Sequence, residues 1–130
     1  MRYAAIDIGS NAIRLLIADI MQNGKIVSFK KNTLIRVPVR LGDDAFLDKK
    51  ISVKKIKELV KTMVAFRNLI DVYKVNDYMA CATSAMREAS NGNAIVSLIK
   101  SEAGIDLEIV EGQREANIIY ASHIEESLDH

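Results

Sequence analysis

At 130 residues the chain has the length of one domain, since domains commonly run roughly 100–150 residues, and its 49% apolar content suffices for a core. Its 18 Lys and Arg nearly cancel 17 Asp and Glu, which excludes the global basic field of a nucleic-acid binder and leaves polyanion recognition to a local site. Cys81 stands alone and no apolar run approaches the roughly 20 residues of a membrane span. Asp7 interrupts the first apolar stretch, unlike a signal peptide. The expectation is a soluble, cytoplasmic protein with no nucleic-acid and no membrane partner.

Residues 3–8 form an apolar run that ends in the turn residues Gly9-Ser10-Asn11. A second run, residues 12–20, closes on Gln22-Asn23-Gly24, where Asn-Gly between strand-like segments signals a hairpin. In the third run Thr33, Ile35, Val37, Val39 and Leu41 alternate with Arg36, Pro38 and Arg40, the period of a half-buried strand. Pro38 cannot donate to a ladder and marks an edge or a bend.

A helix is expected from Ser52, a favourable N-cap, with Ile56, Leu59, Val60, Met63, Phe66, Leu69, Ile70 and Tyr73 on its inner face. The lysines at 49, 50, 54, 55, 57 and 61 read first as a solvated outer face and second as a surface that guides a polyanion. Residues 77–82 predict a buried strand and a helix follows from about Asn91, stopped by Gly104. Residues 107–110 predict a short strand, Gly112 breaks it, and a third helix carries Ala116, Ile119, Tyr120 and Ile124. The predicted order is β-β-β-α-β-α-β-α, an α/β domain with a mixed sheet.

Three segments at strand ends carry chemistry. Asp7-Ile8-Gly9-Ser10-Asn11 combines a costly carboxylate at a buried strand end with a turn whose N–H groups can form an anion nest, and Arg14 adds a cation. An ordinary hairpin turn would use the same residue types. Thr83-Ser84-Ala85-Met86-Arg87-Glu88 offers hydroxyls and a guanidinium outside a strand's carboxyl end, although Ser84 could merely cap a helix. Glu111-Gly112-Gln113-Arg114-Glu115-Ala116 places carboxylates at a helix start, which suits a general base or plain helix-dipole chemistry. Together they supply donors, cations and a carboxylate, the parts needed to hydrolyse a phosphoanhydride.

The stretch Ala5-Ile6-Asp7-Ile8-Gly9-Ser10-Asn11-Ala12-Ile13-Arg14-Leu15-Leu16 closely resembles the first phosphate-binding motif of the exopolyphosphatase/guanosine pentaphosphate phosphohydrolase family. Arg40-Leu41-Gly42 resembles that family's Arg-Leu-Gly-Glu-Gly segment. Residues 82–89 resemble its Thr-Ser-Ala-Leu-Arg-Glu-Ala segment, and residues 109–116 its strand-to-helix segment ending in Glu-Glu-Ala. This sequence departs in having Asp43-Asp44 for Glu-Gly, Glu111 where Ser is frequent, and Arg114 for a second acidic residue.

The resemblance implies a ribonuclease-H-like domain of the actin-like ATPase superfamily with a five-stranded mixed sheet and flanking helices. It implies that Glu115 activates water, that Gly9, Ser10, Asn11 and Arg14 bind phosphate with Ser84 and Arg87 nearby, and that Asp7 helps hold Mg²⁺. The family's second phosphate loop, Asp-x-Gly-Gly-Gly-Ser-x-Glu, has no counterpart in residues 1–130. These residues are therefore expected to be the N-terminal domain of a larger two-domain phosphatase acting on inorganic polyphosphate or guanosine pentaphosphate. Its own C-terminal domain would be its partner, a homodimer is left open, and this domain alone is expected to be inactive. The rival reading is a non-catalytic phosphate- or nucleotide-binding module of the same superfamily.

Overall fold

A computed structural model describes residues 1–111. Three antiparallel strands open the chain: β1 (Arg2–Ile8), β2 (Ile13–Asn23) and β3 (Ile26–Val37). Helices α1 (Leu41–Leu47) and α2 (Val53–Val72) follow, then β4 (Asp77–Ala82), α3 (Ser84–Glu88), α4 (Gly92–Ala103) and β5 (Glu108–Ile109). The sheet order is β3-β2-β1-β4-β5. Strands β1/β2 and β2/β3 pair antiparallel, whereas β1/β4 and β4/β5 pair parallel. The five-stranded mixed sheet expected from the sequence is therefore present.

Alternation along the strands splits the sheet into two faces. Ile6, Ile8, Ile13, Leu15, Ile17, Ala80 and Ala82 point to the main core, which α2 fills with Leu59, Met63, Phe66 and Ile70 and α4 with Ile95, Ile99 and Ala103. Each such large side chain contributes about 1.5–3 kcal/mol on full burial. On the other face lie Asp7, Arg14, Arg36 and Cys81, which share one row of the register: Asp7 opposes Arg14 and Cys81, and Arg14 opposes Arg36. Cys81 is buried there beside Val110 and Met79, packing as the small apolar group its sequence context implies.

The Ser52 hydroxyl caps α2 by accepting from the Lys55 N–H, as expected. Two expectations are corrected. The third strand ends at Val37 rather than continuing to Leu41, because Pro38 offers no N–H to the ladder and Leu41 opens α1. Two short helices, α1 and α3, interrupt the simple alternation of elements. The hairpin expected at Asn23-Gly24 is present, with Asn23 pairing with Ile26 and Gly24-Lys25 as its two central residues. Gly24 has φ +65°, the left-handed conformation that a tight hairpin demands of its first central residue.

Among the lysines near α2, Lys55 is tied down: its Nζ donates to the Arg40 carbonyl at 2.6 Å and to Asp44 at 2.9 Å. Lys49, Lys50, Lys54, Lys57 and Lys61 are exposed, as a solvated face requires. No helix among the described residues is long and apolar enough to cross a membrane. The expected third helix lies outside the described residues.

Candidate phosphate-binding site

The site is built where β1, β4 and β5 end. Because these strands run parallel, their carboxyl ends gather at one edge, stitched by Thr83 N–H to the Ile8 carbonyl at 3.2 Å and Val110 N–H to the Ala82 carbonyl at 2.8 Å. Gly9-Ser10-Asn11-Ala12 connects β1 to β2, and the Gly9 N–H closes it onto the Ala12 carbonyl at 3.0 Å. Among the described residues, these four line an open cleft of about 270 Å³ together with Arg14 and Arg36.

Two neighbours fix the loop. Gly42 donates its N–H to the Ser10 carbonyl at 2.9 Å. A Cβ at Gly42 would stand 3.0 Å from the Ser10 Cβ, 3.1 Å from Phe46 and 3.3 Å from the Ser10 carbonyl oxygen. The Arg40-Leu41-Gly42 segment thus packs closely on the Gly9–Ala12 loop, and a side chain at residue 42 would make Ser10 and Phe46 give by a few tenths of an ångström. From the other side, the Ser10 and Ser84 hydroxyls lie 3.1 Å apart, which ties the loop to the start of α3.

Asp7 is buried, and its Oδ2 accepts from Arg14 Nη2 at 2.5 Å. Its Oδ1 is buried and has no hydrogen-bond partner among the described residues. Arg14 remains half exposed, so one side of its guanidinium faces the cleft while another holds the carboxylate. Asp44, one of the two departures after Gly42, has a structural task. It accepts from the Ser52 N–H at 2.9 Å and from Lys55, joining α1 to the start of α2. The Ser52 N–H, followed by Lys55, holds its carboxyl down to about 2.

The structure brings Gly9, Ser10, Asn11 and Arg14 to one cleft and seats Ser84 against its wall. Arg87 is directed elsewhere. Its guanidinium donates to the Val110 carbonyl at 3.3 Å and to the Glu111 carbonyl, and it lies 3.8 Å from Glu88 and 3.9 Å from the Glu111 carboxylate. It tethers the end of β5 instead of lining the cleft. Glu115 lies outside the described residues. Arg36 is a cleft residue that the sequence reading left in the strand alternation. The signal was its register with Arg14, two strands from Asp7.

An antiparallel hairpin followed by parallel strands, with a glycine-led loop at their carboxyl ends, defines an actin-like domain of the ribonuclease-H type. The chain belongs to the Ppx/GppA phosphatase family, whose sequence model matches residues 17–129. It is 31% identical over 118 residues to a bifunctional 3-dehydroquinate synthase/phosphatase from Fusobacterium nucleatum, covering 88% of this chain and 18% of that protein. It is 27% identical to exopolyphosphatase 1 of Mycobacterium bovis, covering 92% and 34% respectively.

Among solved structures, the Aquifex aeolicus member of the Ppx/GppA family superposes with a TM-score of 0.80 at 30% identity, covering 88% of this chain and 36% of that one. An exopolyphosphatase from Cytophaga hutchinsonii superposes with a TM-score of 0.80 at 31% identity, covering 90% and 36%. The chain therefore spans about a third of the length of these exopolyphosphatases and less of the bifunctional protein.

Proposed function

We propose that residues 1–130 form one wall of the active site of an enzyme that hydrolyses terminal phosphoanhydride bonds of inorganic polyphosphate. Guanosine pentaphosphate, whose end presents the same bond, is the second candidate substrate. The observation that carries this reading is the cleft at the carboxyl ends of the parallel strands, where the Gly9–Ala12 loop and Arg14 meet beside a buried carboxylate. Phosphoryl transfer asks chiefly for positioning and charge neutralisation, and backbone N–H groups with guanidinium partners provide both. The similarity to exopolyphosphatases, one a curated relative and one a solved structure, supports the same substrate class. A second domain would complete the site, and residues 1–130 alone would turn over polyphosphate negligibly.

Asp7 suits Mg²⁺. A magnesium ion takes one or two carboxylates, keeps several waters and shares substrate phosphates, and the Asp7 Oδ1 is a buried acceptor with no partner among the described residues. No group of three His, Cys, Asp or Glu side chains gathers among those residues, so Asp7 would hold the ion with water and phosphate. Bound there, the ion would screen the charge of the phosphoryl oxygens. Arg14 orients Asp7, the loop N–H groups seat the terminal phosphate, and the Ser10–Ser84 contact holds the loop in place.

Glu115 is assigned the general base that orients and deprotonates water. The parallel pairing of β1, β4 and β5 supports this, since it brings the end of β5 to the edge where β1 leads into the Gly9–Ala12 loop. In the complete enzyme, Glu115→Gln should lower kcat by about 10²–10⁴-fold, the usual contribution of a positioned base, with KM changed little. A kcat near that of the unaltered enzyme would remove Glu115 from the mechanism.

A further inference from the structure

Arg14 and Arg36 oppose each other directly across β2 and β3. Like charges in facing positions of an antiparallel pair destabilise the sheet, so the arrangement calls for an anion. Arg14 has one in Asp7, at 2.5 Å. The Arg36 side chain forms no ion pair or hydrogen bond among the described residues, though it lines the same cleft as the loop. Once Arg14 and Asp7 neutralise each other, Arg36 is the uncompensated charge of this cleft among the described residues.

Position gives that charge a specific use. Asp7, Arg14 and Arg36 form one row on β1, β2 and β3, and neighbouring strands lie about 4.8 Å apart. The Arg36 backbone is thus roughly 10 Å from that of Asp7, at the outer rim. A phosphate seated on the Gly9–Ala12 loop would leave Arg36, two strands from Asp7 in the same cleft, within reach of a phosphate further along a chain. We infer that Arg36 grips a phosphate beyond the terminal one and gives the site its preference for a phosphate chain over orthophosphate. This inference rests on the reading of the cleft as a phosphate site.

An exposed arginine on an edge strand can also serve only to deter edge-to-edge pairing, and the two roles separate experimentally. Calorimetric titration of the protein with tripolyphosphate and with orthophosphate should show Arg36→Ala weakening tripolyphosphate on the order of tenfold, the value of a charge-assisted hydrogen bond. Orthophosphate affinity should change less than twofold. Arg36→Lys should restore part of the loss, and Lys61→Ala, which removes the same charge from an exposed position on α2, should change neither ligand. The melting temperature of Arg36→Ala should hold or rise, since a like-charge neighbour is lost. Tripolyphosphate affinity within twofold of the unaltered protein, or equal losses for both ligands, would overturn the role of Arg36. Failure of the unaltered protein to bind tripolyphosphate would overturn the reading of the cleft as well.

Discussion

Removing Arg14 tests whether the cleft is assembled around a buried ion pair. Asp7 is 7% exposed, and its Oδ2 rests 2.5 Å from a guanidinium that is itself half exposed. Breaking a fully buried pair by deleting one partner costs about 3–5 kcal/mol, because the remaining charge is stranded. An exposed pair is worth about 0–1 kcal/mol. Water entering beside Asp7 in place of the Arg14 head places this case between those limits, at about 2 kcal/mol. With a urea dependence near 1.5 kcal/mol/M, Arg14→Ala should lower the unfolding midpoint by about 1.3 M. In an Asp7→Ala background no carboxylate is left stranded, and the same substitution should cost under about 0.5 kcal/mol. The double-mutant cycle, run in phosphate-free buffer with chelator, should therefore return a coupling of about 1.5–2 kcal/mol. Equal costs of Arg14→Ala in both backgrounds would refute the ion pair as the organiser of the site.

Gly92→Ala would set a Cβ 2.2 Å from the Met86 carbonyl oxygen, a backbone atom that moves only if α3 moves. Overpacking of this kind costs about 1–3 kcal/mol, so the melting temperature should fall by several degrees, and an unchanged value would contradict the packing of α3 on α4. Asp44→Asn should cost about 1 kcal/mol at pH 6 by weakening the links to Ser52 and Lys55. Folding depresses this carboxyl, so its contribution is complete above the ordinary value of 3.8 and vanishes as pH falls through about 2. The gap between variant and unaltered protein in urea titrations should close over that range, and a gap that persists at pH 2 would show a different cause.

Elements whose signals are local were legible in the sequence. The inner face of α2 repeats every three to four residues over five turns, so Leu59, Met63, Phe66 and Ile70 were legible as core. The turn after β1 and the buried strand β4 were equally plain, since an apolar run followed by Gly-Ser-Asn or Thr-Ser carries its own punctuation. Helices α1 and α3 were not, because seven and five residues span too few turns to display a period. The alternation through residue 41 even continued β3 into α1.

Tertiary structure alone decided what meets at the site. The Ser10–Ser84 contact joins residues 74 positions apart, and no local pattern encodes it. Arg87 was chemically suited to phosphate, yet the parallel pairing of β4 with β5 put backbone carbonyls within its reach. Arg36 looked like one polar member of an alternating strand until the β2–β3 register set it opposite Arg14. Propensity and periodicity act over a few residues, whereas register and strand order are fixed by contacts between distant segments. Those contacts turned a glycine turn, a strand arginine and a buried aspartate into one cleft.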